Sequence, residues 1–402
     1  MDRSPHAQRV RNRWAFAVLA GAATMASCII PDLPARPATQ DGGAAGDTAD
    51  GDLAPEPDAA ADAATCAPGW LDCDGDLANG CEDPLTDPSH CGSCGHGCLG
   101  GECLDGVCQP VVLATGIGHP YGLAKDDEFL YGTAGSTNGR VWKVPVGGCA
   151  DPAGCAVFLS TPGVYYKDLA IDADTVFFTD ADDGRVKRVN KDGTGECALA
   201  TGELEPVGIA VDETHVYWAA RGGNSIRRAT KSCASPGVTT LVAGTPEPHF
   251  LRFDADRLYW TKSSGGRVSR AMPDGTSPEA IWTGTTAGSF MFCPALDDAW
   301  VYWREGFQNP MSGTARVVRL PKDGSGPKEV LADGQAGPRY LTIDATHVYW
   351  TTAESVRRVA KDGAGTPETL ATGLASPHGI VVDDTAVYFG VFWGDQVAKV
   401  AK

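Results

Sequence analysis

An aspartate stands five residues ahead of an aromatic seven times in this chain: Asp126/Tyr131, Asp172/Phe177, Asp212/Tyr217, Asp254/Tyr259, Asp297/Tyr302, Asp344/Tyr349 and Asp383/Tyr388. The interval within each pair never varies, and consecutive copies lie 39 to 47 residues apart. Most of these aspartates end a short apolar run such as "LAID", "IAVD" or "LTID", and each aromatic centres a second run, as in "VYW" at 216–218, 301–303 and 348–350. A third run often interleaves basic residues: "RVKRV" at 185–189, "RVSRA" at 267–271, "VRRVA" at 356–360. Asp-Gly turns follow at 192–193, 274–275, 323–324 and 362–363, then a fourth run that often ends "LATG".

Four short antiparallel strands at this period describe one blade of a β-propeller. The expected fold is therefore all-β, with seven four-stranded blades over residues 111–402. The last copy stops after its third strand, while an orphan "VVLATG" at 111–116 matches the fourth strand of the others. Residues 112–115 are expected to complete the blade begun by 374–402, closing the ring and removing free sheet edges. The 50 glycines and 27 prolines suit such turn-rich β structure and not long helical bundles.

"FDADRLYWTKSSGGRVSR" (253–270) and "IDATHVYWTTAESVRR" (343–358) resemble the repeats of YWTD propellers and, less closely, NHL propellers. The resemblance covers roughly 111–402 and implies a scaffold. The chain departs from it in having seven copies where YWTD propellers have six, and only Asp180, in "FFTD", keeps the acid of the motif. Six-bladed YWTD binding sites therefore do not transfer.

Ahead of the repeats the chain reads as an address, a spacer and a staple. Arg3, Arg9, Arg11 and Arg13 precede an apolar run from Trp14 to Ser27, a secretory pattern too short to span a bilayer. Met25-Ala26-Ser27-Cys28 resembles a bacterial lipobox, which implies a signal peptide over 1–27, lipidation of Cys28 and attachment to a membrane; Ile29 after the cysteine implies the outer membrane. An ordinary signal peptide cut near Ser27 is the other reading. Residues 28–65 are poor in large apolar side chains and rich in Ala, Pro, Gly and Asp, the composition of a disordered acidic linker.

Residues 66–110 then hold eight cysteines: Cys66, Cys73, Cys81, Cys91, Cys94, Cys98, Cys103 and Cys108. An even count in a short exported segment reads as four disulfides, of unstated pairing, with zinc on Cys91, Cys94 and Cys98 the competing reading. Asp72, Asp74 and Asp76 look like the start of a calcium loop, but Leu77 stands where an EF-hand needs Gly. Within the propeller, Cys149 is expected to pair with Cys155 and Cys197 with Cys233, leaving Cys293 a buried free thiol.

Propellers commonly use the face formed by the loops leading into the innermost strands and those joining strands two and three. The residue five before each repeat aspartate is expected to rim that channel: Tyr121, Lys167, Val207, His249, Phe292, Arg339 and His378. None is a carboxylate, so the rim suits an anionic or sugar-like ligand; the plainer reading is polar side chains facing water. Phe307, in the long "REGFQNPMSGT" loop of blade 5, and Phe392-Trp393 in blade 7 are apolar tips that either bind or fold back over the channel. His215 and His347 recur as "THVYW" on the opposite face and belong to the repeat.

No Gly-x-Ser-x-Gly, HExxH or phosphate-loop motif is present. Propeller lactonases and sugar-acid hydrolases use channel carboxylates on a metal, and here only Asp168 lies near the rim. Streptogramin lyases have seven blades and use His with a metal; His249 and His378 lie three blades apart. The charge of −18 is unevenly placed: residues 28–110 hold 16 acidic and one basic side chain, residues 111–402 hold 34 and 28. A nucleic-acid partner is not expected on so acidic a chain. The sequence therefore points to a surface lipoprotein presenting a binding propeller to a protein or carbohydrate, with no catalytic residue, metal or cofactor. The alternative is a metal-dependent lyase or hydrolase with its site in the channel.

Overall fold

The computed structural model describes residues 66–402 apart from 77–80, 137, 255, 263–264, 285–289 and 307–314, and the backbone without the side chains of 290–293. Cys28, the linker, Phe307 and the side chains of Phe292 and Cys293 thus lie outside the described residues.

Seven four-stranded antiparallel sheets make a propeller, each running in chain order from the innermost strand outward. The last blade is built from Pro377–Val382, Ala386–Val391 and Gln396–Ala401, with Val111–Thr115 as its outer strand. Ala114 pairs with Val397 and Val111 with Lys399, so the ring closes as the orphan strand implied.

The second strand of each blade carries the core. Val216, Tyr217 and Trp218 are all buried, because both faces of the sheet are covered by neighbouring blades and the usual polar alternation is unnecessary. The apolar clusters accordingly lie between sheets: Phe177 and Val186 of blade 2 pack with Ile209, Val216 and Trp218 of blade 3.

The repeat aspartate has three jobs. One oxygen of Asp344 accepts the Thr346 and His347 amides, 2.8 and 2.7 Å away, tying the hairpin between strands one and two. The other accepts the Tyr349 hydroxyl at 2.7 Å, which explains the fixed five-residue interval. The same oxygen takes the ammonium of Lys402 from the next blade at 2.5 Å. Asp126–Lys191, Asp172–Lys231, Asp254–Lys322 and Asp297–Lys361 repeat this clasp between successive blades. The lysine always follows the third strand directly. Two seams depart from it. Met272 takes the lysine's place opposite Asp212, and Val146 takes it opposite Asp383, which Lys125 reaches instead at 3.3 Å.

The interleaved basic residues of the third strands serve the same joints. Arg188 donates to the Lys231 carbonyl at 2.9 Å and Arg228 to the Pro273 carbonyl at 2.8 Å, each in the following blade. The His215 and His347 rings sit in the same way in their blades, each with Nδ1 against the hydroxyl of the preceding threonine at 2.7 and 2.8 Å, as repeat parts do.

The cysteine module is pinned by Cys66–Cys81, Cys73–Cys94, Cys91–Cys103 and Cys98–Cys108. All three cysteines of the zinc reading are thus consumed in disulfides. Its hairpin, Cys103–Leu104 with Val107–Cys108, rests on the outer strand of blade 6, Glu368–Ala371. Cys149–Cys155 and Cys197–Cys233 are also bonded, the second joining blades 2 and 3. In the acidic turn, the carboxylates that converge within 4.8 Å are those of Asp72, Asp74 and Glu82.

Candidate functional site

The loops entering the innermost strands are shaped by a left-handed residue that the repeat hides. His119, Glu205, Glu247 and Ser376 have φ of 62°, 55°, 46° and 65°, and each precedes a proline that opens the strand. Their carbonyls hold the loop between strands two and three of the same blade: His119 takes the Gly135 amide at 2.8 Å and Ser376 the Phe392 amide at 3.0 Å. Blade 2 departs from this. Tyr165 stands in the equivalent place at φ 111°, a backbone region that costs a non-glycine residue about 1–3 kcal/mol.

The threonine after the aromatic pair sets the rim. Thr133 donates to the carbonyl of Lys167 (3.4 Å), Thr179 to that of Val207 (2.8 Å) and Thr351 to that of His378 (3.1 Å), each across to the next blade. Three blades depart from the pattern: Ala219 and Gly390 take the threonine's position in blades 3 and 7, and in blade 5 it is held by Arg304, a charged side chain that is almost wholly buried. Arg304 was not among the residues the sequence singled out; its mismatch with the repeat at that position is the signal that marks it.

The rim residues do not line an open channel. Tyr121, Val207, His249 and His378 are buried, and Lys167 and Arg339 keep only 9% and 8% of their surface exposed. Aromatic rings fill the mouth instead. Tyr121 lies 5.7 Å from Tyr165, 5.2 Å from His378 and 5.5 Å from Phe392, and Tyr340 lies 5.9 Å from His378. His249 packs on Phe250 at 4.3 Å, and Phe250 meets Tyr340 edge-on at 6.3 Å. Into this layer project cations: the Lys167 ammonium is 3.8 Å from the Tyr165 centroid and 5.2 Å from that of Tyr121. Such contacts are worth more when kept from water.

The Phe392–Trp393 tip is divided: its first ring folds back and its second stays exposed. Phe392 folds inward against His378 at 4.7 Å and is buried, whereas Trp393 keeps 51% of its surface. The loop that carries them is held, with the Trp393 amide on the Ala375 carbonyl at 3.1 Å and Asp395 accepting the His119 amide at 3.0 Å.

Electrostatically the mouth is positive. Asp168 is buried there, receiving the Leu169 amide at 3.0 Å and facing Arg252 at 3.5 Å. Burial pushes its carboxyl up, against the pull of Arg252 and the Leu169 and Ile209 amides. His378 Nδ1 lies 2.9 Å from the Ser376 carbonyl, which can only accept, so the ring proton sits on Nδ1. Burial, and then the Arg339 charge, bring His378 down to about 3 against the opposing Ser376 bond, with Lys167 adding to the fall. The ring is neutral at ordinary pH, and its Nε2 is buried without a hydrogen-bond partner among the described residues.

These surroundings do not fit a divalent cation. The Arg339 and Lys167 charges that keep a proton off His378 would repel a metal as well. Among the described residues, the groups of three or more metal-ligand side chains lie in the cysteine module and none at the mouth. On the opposite face a groove of about 870 Å³ opens by blades 2 and 3, lined by Asp172, Arg188, Lys191 and Lys231 among others. Its charges are those of the inter-blade clasps.

No family model matches the chain, and no curated protein sequence does. Solved structures do share the fold. Virginiamycin B lyase from Staphylococcus aureus superposes with a TM-score of 0.60 at 19% identity, over 73% of this chain and 98% of that one. A streptogramin B lyase gives 0.60 at 16% identity, over 73% and 96%. The nidogen/laminin complex gives 0.47 at 19% identity, over 61% and 93%. At these identities the likeness is one of architecture: the chain is a seven-bladed β-propeller with a disulfide-rich module before it.

Proposed function

We propose that this is a lipid-anchored bacterial surface protein whose propeller, with YWTD-like repeats, binds a ligand at the channel mouth and performs no chemistry. Cys28 would carry the anchor and the acidic linker would hold the disc away from the outer membrane. The observation that carries the binding reading is Trp393, a large ring left 51% exposed on a loop fixed by backbone bonds, directly above a buried aromatic and cationic layer. Leu204 and Val164 add further exposed apolar surface to loops on the same face. Apolar surface left on fixed loops marks interaction sites.

The competing reading, a metal-dependent lyase, draws on the likeness to the streptogramin lyases. The cationic setting of His378 speaks against it. Calorimetry with zinc, magnesium and manganese on the full chain decides between them. A tight metal that is lost in His249→Ala or His378→Ala would replace the binding reading by the enzymatic one. For the anchor, Cys28→Ala should move the protein out of the membrane fraction; if the variant stays there, the lipidation reading fails.

A further inference from the structure

We infer that the cysteine module is a docking surface in its own right, and that its occupant is a basic, apolar segment of another polypeptide. This stands apart from the reading of the channel mouth, because it concerns a different part of the chain.

Among the described residues, four of the ten large apolar side chains left exposed belong to the module: Trp70, Leu99, Leu104 and Val107. The propeller, several times longer, supplies the other six. Leu104 and Val107 centre this surface. They pair across the module's hairpin on either side of the turn Asp105-Gly106, whose φ values of 50° and 74° suit an Asp-Gly pair. The next pair along, Cys103 and Cys108, is buried, so strand alternation turns Leu104 and Val107 outward, where they keep 53% and 45% of their surface. The hairpin is held from behind, with Cys103 bonded to Cys91 and Cys108 to Cys98. Leu99 directly follows Cys98 and sits beside the same staple. A face cross-linked twice is already ordered, so a partner that covers it has little ordering to impose.

Charge names the occupant. Residues 66–110 contain eight Asp and Glu and no Lys or Arg. Two of these acids frame the apolar pair. Asp105 lies in the turn, and Glu102, two residues before Leu104, shares its side of the hairpin; both are exposed. The Gln109 amide donates to the Glu102 carbonyl at 2.8 Å, which carries the hairpin that far. Such a face repels a second copy of itself and any anionic lipid. It equally repels the chain's own linker, since residues 28–65 hold eight acidic side chains and one basic one. A segment that interleaves apolar and basic residues meets the Leu104–Val107 pair and its flanking carboxylates together.

The test is fluorescence anisotropy on the full chain carrying Cys28→Ala, handled without detergent, with a short labelled peptide of alternating leucine and lysine. This peptide should bind at least about tenfold tighter than a serine–lysine or a leucine–glutamate peptide of the same length. Leu104→Ser with Val107→Ser should weaken it about tenfold. Glu102→Gln with Asp105→Asn, which keeps a residue the turn accepts, should weaken it about fivefold and flatten its salt dependence. A free-thiol titration matching the parent protein shows that a variant has kept its disulfides; if the serine variant loses them, the amide variant decides. Equal binding of the serine–lysine peptide overturns the inference, since charge alone then suffices, and equal binding of the leucine–glutamate peptide overturns it by removing the role of charge. Full affinity in either folded double variant overturns it too, as does affinity lost in Trp393→Ala, which would place the peptide at the channel mouth. Retention on phosphatidylcholine vesicles that needs Leu104 and Val107 overturns it in favour of a lipid surface.

Discussion

The two faces of the propeller are built on opposite terms. On the face of the Asp-bearing hairpins the same aspartate and aromatic recur in every blade, and at five of the seven seams a lysine clasps the aspartate to the next blade. On the other face the equivalent rim positions vary in side chain: a tyrosine, a lysine, a valine, a phenylalanine, an arginine and two histidines. Repetition marks what holds the ring, and departure from repetition marks what distinguishes this ring from others of its kind.

That contrast predicts unequal responses to substitution. The largest stability effect should come from Asp344→Ala, which strands the Tyr349 hydroxyl, the hairpin amides and Lys402 together and should cost about 3 kcal/mol in urea denaturation. Asp212→Ala should cost less, about 2 kcal/mol, because Met272 stands where the lysine would be. Equal losses would mean that the lysines add nothing to the clasp.

Acid separates the faces by the pH at which each begins to fail. Burial raises the Asp126 and Asp383 carboxyls, but this is outweighed: at Asp126 by Lys191, the Phe129 and Glu128 amides and Tyr131, and at Asp383 by the Thr385 and Ala386 amides and Tyr388. Both end at about 2. Groups held below their unfolded value of 3.8 stabilise the fold above that pH, and the contribution is lost as pH falls from about 4 to 2. His378 acts earlier. Its folded value of about 3 lies under the unfolded 6.5, so the unfolded chain takes up a proton first and stability falls from about pH 6.5 downward. His378→Gln should flatten this part of the profile, removing a slope of up to about 1.4 kcal/mol per pH unit between pH 6 and 4.5. An unchanged slope would mean that His378 is not the group responsible. The smallest stability effect should be that of Trp393→Ala, below about 0.5 kcal/mol by thermal melting, since half the ring is in water. A larger loss would make Trp393 part of the scaffold.

The same contrast explains what could be read in advance. The blades were legible because Asp344 needs its tyrosine at one fixed distance, and an interval that recurs in all seven copies, six times with tyrosine and once with Phe177, shows itself in a single chain. Ring closure followed because Val111–Thr115 copies the fourth strand of its siblings. The rim positions could be counted from the aspartates, but not their depth: nothing local to Lys167 or His378 says that rings from four other strands and loops will bury them. Tyr165 and Tyr340 join the cluster from beside the counted positions and carry no repeat signature. Arg304 was hidden for the opposite reason, since it occupies a repeat position with the wrong side chain, visible only once the bridging role of Thr133, Thr179 and Thr351 is known.

The strand that closes the ring is also the strand through which everything before residue 111 is attached. A pull applied from that side loads the pairing of Val111–Thr115 with Gln396–Ala401 before it loads any other sheet, starting at the Val111–Lys399 end. Such a strand can peel rung by rung, whereas the inner strands would have to move together. The hairpin seated on blade 6 stands just ahead of this junction and shares the strain with a second blade. Under tension the disc therefore has a defined weak line, and its first yielding step would open blade 7, the blade that carries His378, Phe392 and Trp393.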